Sequence, residues 1–133
     1  MRVLILDDMV QRHDGFKILF AGHELHHAYT TNEARRFLEE HQFDALFLDH
    51  DLNEYIPGMY GSTEVTGYDF CRWLVTTALG TSVDEHIPIT IHSWNPEGAR
   101  RMRNVLWDGG FLNVTISPFS SPVVYTREEE GGM

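Results

Sequence analysis

The stretch that most constrains the fold is Ala45–Leu48, an apolar run that leads directly into Asp49, His50 and Asp51. A short continuous apolar run is typical of a strand that is buried on both faces, as in the middle of a parallel sheet. Ligand-binding groups collect beyond the carboxyl ends of such strands, where the crevice is open to solvent. We therefore expect the three polar residues to form one wall of a functional site.

The rest of the chain alternates short apolar stretches with helical patterns. Strands are predicted at residues 3–6, 25–29, 45–48, 88–91 and 114–116, and helices at residues 10–20, 30–41, 67–75 and 96–107. Such alternation indicates a parallel sheet with helices on both faces, joined by right-handed crossovers. The predicted fold is α/β: a doubly wound five-stranded parallel sheet of order 2-1-3-4-5, with the last helix missing or reduced.

Composition narrows the class of protein. The 133 residues predict one domain over residues 1–120 and a charged, Gly-rich C-terminal tail over residues 121–133. A single cysteine, Cys71, excludes an internal disulfide and a cysteine-rich zinc site, and it suits a reducing cytoplasm. The net charge of −10 argues against binding to long nucleic acid. No apolar run approaches the roughly 20 residues of a membrane helix, and a strand that begins at Arg2 leaves no room for a signal peptide.

Acidic residues follow two strands that the predicted order makes neighbours. Asp7 and Asp8 follow the first strand, Asp49 follows the third, and His92 and Ser93 follow the fourth. Clustered carboxylates repel one another unless a cation is present, and hard oxygen ligands suit Mg²⁺ or Mn²⁺. Capping of the first helix is the alternative for an isolated acid pair, but the third carboxylate favours a metal site.

Further residues could complete that site. Asp51 could ligate the metal or present its backbone carbonyl group. Three histidines are candidates for moving a proton, because the imidazole pKa lies near neutrality: His92 is the first choice, His50 the second, and His13 the third. His50 alternatively orients the loop or binds substrate, and His13 alternatively faces solvent or caps the helix. The remaining five histidines are expected on the surface: His23, His26, His27, His41 and His86.

Substrate contacts are predicted beside the metal ligands. Ser93 follows the fourth strand, and Asn95 is a helix cap whose helix amino terminus could hold an anionic phosphate. Residues 53–66 form a polar loop that is long for a strand–helix connection, and such loops are often functional. Tyr55 and Tyr60 in this loop could stack on a base, or they could pack on the helix below.

The chain resembles response-regulator receiver domains across nearly its whole length. The shared features are an acidic pair after the first strand, an aspartate after the third, a hydroxyl residue after the fourth and a residue–proline step after the fifth: Asp7, Asp8, Asp49, Ser93 and Ser117 with Pro118. Receivers carry a lysine before that proline, where it contacts the phosphoryl group, and this chain has Ser117. The difference argues against a phosphoacceptor switch.

A closer resemblance is to the divergent branch called cyclic-phosphate-processing receiver-like domains. It rests on four motifs: Leu6-Asp-Asp8 with Arg12-His13, Leu48-Asp-His-Asp-Leu52, Thr66-Gly-Tyr-Asp69, and Ile91-His-Ser-Trp-Asn-Pro96. The resemblance implies a metal-assisted activity on nucleotides or RNA ends that bear a cyclic phosphate, frequently in phage or bacterial conflict.

The leading hypothesis is a metal-dependent phosphoesterase that acts on a cyclic nucleotide or a cyclic-phosphate end. The first alternative is a binding module that sequesters such a nucleotide without cleaving it. The second is a degenerate receiver that signals through phosphorylation of Asp49. The expected partner of the enzyme or the binding module is a small nucleotide or cyclic-phosphate ligand, with no membrane and no long nucleic acid.

Overall fold

The computed structural model describes residues 1–77, 80 and 82–118. Within these residues the strands are β1 (Arg2–Leu6), β2 (Glu24–Ala28), β3 (Ala45–Leu48), β4 (Glu54–Gly58), β5 (Gly61–Val65), β6 (Ile89–Ile91) and β7 (Val114–Ile116). The helices are α1 (Val10–Leu19), α2 (Thr31–Glu40), α3 (Gly67–Thr76) and α4 (Pro96–Asp108). None of the helices in this part of the chain is long and apolar enough to span a bilayer.

The main sheet has the predicted topology. Its five strands are parallel and lie in the order β2-β1-β3-β6-β7, so β1 and β3 are neighbours at the point where the connections reverse direction. The register aligns the last residues of three strands, because Leu48 lies beside both Leu6 and Ile91. The polar residues that follow these strand ends are therefore brought to the same level of the sheet.

Both faces of the sheet are buried, which explains the continuous apolar runs. In β1, Leu4 and Leu6 point into the larger hydrophobic core, whereas Val3 and Ile5 point into a smaller core beneath α1. All four side chains are fully buried. Because burial of one such side chain contributes about 1.5–3 kcal/mol, this strand anchors the residues that follow it.

Two helix starts confirm predictions from the sequence. Thr30 and Glu33 form a reciprocal capping box, in which the Thr30 hydroxyl accepts from the Glu33 amide and the Glu33 carboxylate accepts from the Thr30 amide. Asn95 caps α4 by accepting a hydrogen bond from the Gly98 amide at 3.0 Å. The α4 cap fixes the loop that follows β6.

The prediction of an irregular loop over residues 53–66 is wrong. The strands β4 and β5 pair in an antiparallel hairpin, with Gly58 opposite Gly61 and a two-residue turn of Met59 and Tyr60. Gly61 has φ +114°, a backbone conformation that residues with side chains rarely adopt. The alternation of apolar and polar residues that predicts a half-buried strand is missing here, because both faces of the hairpin are largely exposed.

The hairpin is attached to the domain at its base. The Glu54 carboxylate accepts hydrogen bonds from the amide of Thr31 at 2.9 Å and from its hydroxyl at 2.8 Å. These contacts place a negative charge at the amino terminus of α2, where the helix dipole favours it. The hairpin therefore has a fixed base and an exposed tip.

Two predictions concern residues outside those that the structure describes. The predicted tail, residues 121–133, lies entirely outside them, as does the part of the chain where a final helix would follow β7. The described chain ends at Pro118, two residues after β7.

A glycine holds the β3 end against α3, and we expect its replacement to loosen the site. A Cβ atom at Gly67 would lie 2.0 Å from the carbonyl oxygen of Asp49. Helix propensity alone favours alanine by about 1 kcal/mol. The backbone clash outweighs this gain, so Gly67→Ala should lower the free energy of unfolding by about 1–3 kcal/mol.

Urea denaturation measures this effect. Arg72→Ala is the matched control, because Arg72 is an exposed residue of the same helix, where alanine should change stability by less than about 0.5 kcal/mol. Equal unfolding midpoints for the two variants would contradict the close approach of Gly67 to Asp49.

Candidate functional site

Three side chains converge where β1, β3 and β6 end. Asp7, Asp49 and His92 each offer one ligand atom, and these atoms lie within 4.8 Å of one another. The backbone sets this spacing. The Asp49 amide donates a hydrogen bond to the Leu6 carbonyl oxygen at 2.9 Å, and the His92 amide donates one to the Leu48 carbonyl oxygen at 3.0 Å. All three side chains are buried. The structure thus brings together residues 42 and 43 positions apart in the chain.

The donor set fits a divalent cation. The cluster offers two carboxylate oxygens and one imidazole nitrogen. Carboxylate oxygens suit both Mg²⁺ and Mn²⁺, and Mn²⁺ also accepts the nitrogen. Burial of two carboxylates at this spacing is unfavourable without a positive partner. The acidic pocket is consistent with the predicted metal site.

Arg12 provides a positive charge beside these carboxylates. Its Nε atom lies 2.7 Å from Asp7 Oδ2, and its Nη2 atom donates a hydrogen bond to Asp49 Oδ2 at 3.0 Å. A longer contact of 3.8 Å joins Nη2 to Asp8 Oδ1. The arginine side chain is itself largely buried. One guanidinium group therefore compensates three carboxylates.

The three carboxyl groups respond differently to this environment. Burial raises the pKa of Asp7, but hydrogen bonds from His92 and the Met9 amide, together with the charges of His92 and Arg12, outweigh it and leave the pKa below 3.8. Burial, together with the charge of Asp7, raises the pKa of Asp49. Burial and the charge of Asp7 also raise the pKa of Asp8. Asp7 is therefore the most strongly stabilised anion of the three.

His92 is held by the carboxylate of Asp7. Its Nε2 atom lies 2.7 Å from Asp7 Oδ2, and both side chains are fully buried. The ring also packs edge-on against Phe16, with the centroids 5.2 Å apart. Asp7 thereby orients the imidazole and favours the tautomer that carries a proton on Nε2.

His50 lies at the rim rather than inside the cluster. Its Nδ1 atom is 2.9 Å from Asp51 Oδ1 and 3.5 Å from the side-chain amide nitrogen of Asn95. Its ring lies so close to Gly98 in the first turn of α4 that a Cβ atom there would be 2.5 Å from it. The histidine is thus clamped between an exposed carboxylate and the helix amino terminus.

His13 lies behind Asp7, away from the ligand cluster. Its Nε2 atom is 2.8 Å from the backbone oxygen of Asp7, and its Nδ1 atom is 2.7 Å from Nδ1 of His27. Burial lowers the pKa of both histidines, that of His27 to about 4 with a further contribution from His13. The solvent-facing alternative for His13 is therefore wrong, and His27, which was expected on the surface, is half-buried beside it.

The remaining predicted residues do not belong to the cluster. Asp8 and Asp51 are not among the three side chains whose ligand atoms lie within 4.8 Å. Ser93 is buried and its hydroxyl accepts a hydrogen bond from the Asn95 amide at 3.0 Å. Tyr55 and Tyr60 are exposed on the hairpin, Tyr60 almost completely.

The sequence reasoning did not place Arg12 in the site. A signal was present, since Arg12 lies in the first turn of α1, which begins two residues after Asp8, and the motif of Leu6-Asp-Asp8 with Arg12-His13 already joined the two. The receiver position of the missing lysine, Ser117, follows β7, and its amide donates to Ile91 at 2.9 Å. The positively charged side chain in the site is thus Arg12 of α1, and the residue after β7, Ser117, is neutral.

We expect Asp7→Asn and Asp8→Asn to have opposite effects at neutral pH. Because the pKa of Asp7 is lowered, its ionised form stabilises the fold at pH values above 3.8. This contribution is lost as the pH falls through the lowered pKa. The raised pKa of Asp8 means that its charge opposes folding at neutral pH. Asp7→Asn should lower the free energy of unfolding by about 3 kcal/mol, and Asp8→Asn should raise it by less than about 1 kcal/mol.

Chemical denaturation at a series of pH values measures both effects. The deficit of Asp7→Asn should shrink as the pH is lowered below 3.8, because wild-type Asp7 then becomes neutral as well. Equal destabilisation by the two substitutions, or an Asp7→Asn deficit that does not vary with pH, would contradict the electrostatic account of the cluster.

Solved structures of receiver domains share the fold. NtrX from Brucella abortus matches with 20% sequence identity and a TM-score of 0.62 over 97% of this chain, which spans only 26% of that protein. A CheY-like receiver domain protein from Methanospirillum hungatei matches with 18% identity and a TM-score of 0.60, over 98% of this chain and 91% of that one. A putative response regulator from Chloroflexus aurantiacus matches with 22% identity and a TM-score of 0.60, over 97% and 94% of the two chains. No curated protein matches the chain in sequence.

Sequence comparison identifies the branch more narrowly. A family model described as the cyclic-phosphate processing receiver domain matches residues 2–108, from the start of β1 to the end of α4. The matched region contains Asp7, Arg12, Asp49 and His92, and so covers the whole cluster described above. This chain belongs to the family of cyclic-phosphate processing receiver domains.

Proposed function

We propose that this chain is a metal-dependent phosphoesterase that acts on a cyclic nucleotide or a cyclic-phosphate end, in phage or bacterial conflict. The observation that carries the proposal is the buried group of Asp7, Asp49 and His92, with ligand atoms within 4.8 Å of one another. Membership of a family described as processing cyclic phosphates supports the class of substrate. Its expected location is the cytoplasm.

Asp7, Asp49 and His92 would hold the cation, and Asp8 and Asp51 would approach it from the solvent side. Mg²⁺ or Mn²⁺ bound there would act as a Lewis acid toward the phosphoryl oxygens and would lower the pKa of a bound water. The partly exposed carboxylates of Asp8 and Asp51 support this arrangement, because they connect the buried cluster to the surface. We expect a substrate phosphate to approach from their side.

Ring opening of a cyclic phosphate requires a proton transfer. A bond forms between a water oxygen and phosphorus, one ring P–O bond breaks, and the released oxygen takes up a proton. His50 is our candidate for this transfer, because it is not one of the three clustered ligand residues and the exposed Asp51 orients it through a 2.9 Å contact. His92 and His13 are buried and would position Asp7 instead. His92 contacts the Asp7 carboxylate, and His13 contacts the Asp7 backbone oxygen.

Residues at the α4 end of the site would bind the phosphate. The Ser93 hydroxyl accepts from the Asn95 amide, and its proton remains available for a phosphoryl oxygen. The positive end of the α4 dipole lies at this point and would favour an anion. Tyr55 and Tyr60 on the hairpin would contact the base.

Turnover should depend on the metal and on His50. We expect 2′,3′-cyclic or 3′,5′-cyclic nucleotides to be hydrolysed in the presence of Mg²⁺ or Mn²⁺, and not after chelation. His50→Ala should lower kcat about 100- to 10,000-fold while leaving Mn²⁺ affinity within about twofold. His92→Ala should weaken Mn²⁺ binding as well. His86→Ala is the control, because His86 is an exposed residue before β6.

Product analysis by chromatography and metal titration by calorimetry separate these effects. Binding without product at stoichiometric protein, or unchanged turnover in His92→Ala, would contradict the enzymatic function and favour a sequestering module. Labelling by acetyl phosphate that is lost in Asp49→Ala would instead favour a phosphoacceptor receiver.

The hairpin tip should contribute to nucleotide affinity. If Tyr60 stacks on the base, Tyr60→Ala should raise KM about 5- to 100-fold with little change in kcat, since stacking on an aromatic ring contributes about 1–3 kcal/mol. Met59→Ala is the matched control, because Met59 is exposed to a similar degree in the same turn. Equal KM values for the two variants would exclude a specific role for the tyrosine ring.

A further inference from the structure

The position of Arg12 raises the question of how a cation enters the cluster. Each carboxylate has one oxygen committed to the backbone: Asp7 Oδ1 accepts from the Met9 amide and Asp49 Oδ1 accepts from the His50 amide, both at 2.9 Å. The other oxygens, both Oδ2, face Arg12 at 2.7 and 3.0 Å. The oxygens that accept no backbone hydrogen bond are therefore those that Arg12 contacts, and a metal that binds both carboxylates through them competes with Arg12 and, at Asp7 Oδ2, with His92 Nε2 at 2.7 Å.

A guanidinium group and a divalent cation cannot occupy these oxygens together, because both are positive and each would lie within a few ångströms of the other. The Arg12 Nε–H is also poorly aligned with Asp7: the atoms are 2.7 Å apart, but the contact does not have hydrogen-bond geometry. The contact with Asp7 is thus an ion pair without a directed bond. Of the three carboxylates that Arg12 contacts, Asp49 is the one that accepts a hydrogen bond from it, at 3.0 Å.

We propose that Arg12 and the divalent cation alternate at Asp7 and Asp49, and that the displaced guanidinium binds the phosphoryl group of the substrate. This inference rests on the proposed function, because it assigns a second role to a residue of the same site. In the metal-free protein Arg12 neutralises the carboxylates. In the metal-loaded protein it is released toward Asp8, which already lies 3.8 Å from Nη2.

The charge distribution around Asp49 supports the second half of the proposal. Within the described residues, Arg12 is the only arginine or lysine that forms an ion pair with Asp49. The position after β7, where receivers carry a lysine, is the neutral Ser117. Guanidinium groups bind phosphate through two parallel N–H donors, so a released Arg12 could supply the phosphoryl contact from α1.

Binding measurements with Arg12→Met test the alternation, because methionine removes the charge while keeping much of the apolar stem. We expect Arg12→Met to bind Mn²⁺ about 10- to 100-fold more tightly than the wild type, since the competing cation is absent. Once loaded with Mn²⁺, the variant should bind inorganic phosphate at least about tenfold more weakly. Arg36→Met is the control, because Arg36 is exposed on α2, and it should leave both affinities unchanged.

A measurement on the wild-type protein provides the second test and does not depend on the variant folding. In ¹⁵N NMR spectra, the Arg12 Nε–H resonance should shift on titration with Mg²⁺ and should exchange faster with water. The Arg36 resonance should not change. A resonance of Arg12 that does not respond to bound Mg²⁺ would overturn the alternation.

Calorimetric titration of Arg12→Met with Mn²⁺ and with phosphate tests the two halves of the proposal separately. Mn²⁺ affinity that is equal or weaker in Arg12→Met would overturn the competition, and unchanged phosphate binding would overturn the substrate contact. A protein that binds Mn²⁺ and phosphate in the expected pattern but turns over no cyclic nucleotide would refute the proposed phosphoesterase and leave the alternation intact.

Discussion

The structure depends on the compensation of two buried carboxylates. Asp7 and Asp49 follow neighbouring strands, and their charges are taken out of water because the strands are covered on both faces. A cation is needed at this point, since a buried anion without a partner destabilises the fold by several kcal/mol. The Arg12 guanidinium supplies this positive charge, and it reaches both groups because α1 begins shortly after β1.

The supporting residues act by close approach of the backbone. Gly67 admits the carbonyl group of Asp49, and Gly98 admits the ring of His50. Because a Cβ atom would clash at each position, these glycines set how closely α3 and α4 pack against the end of β3. The cluster of Asp7, Asp49 and His92 is therefore held by packed strands and helix starts, whereas the hairpin carries two exposed tyrosines, Tyr55 and Tyr60.

The receiver fold is retained while the charges at its functional edge are redistributed. The acidic residues after β1 and β3 remain, but Ser117 stands where receivers carry a lysine, and an imidazole and a guanidinium contact Asp7 instead. A buried histidine bound to a carboxylate is a feature of metal and acid–base sites more than of a phosphoacceptor. This redistribution is the physical reason for favouring chemistry on a bound phosphate over phosphorylation of Asp49.

The sequence by itself determined the strand order, the capped helix starts and the convergence of Asp7, Asp49 and His92, because periodicity and capping are local and parallel strands end at a common edge. The tertiary structure decided what the local pattern does not contain. It placed Arg12 between the carboxylates, His13 against His27, and His50 at the rim, since these contacts depend on side-chain direction and on helix packing. It also paired residues 54–58 with residues 61–65, because an exposed hairpin has no buried face to impose an alternating sequence.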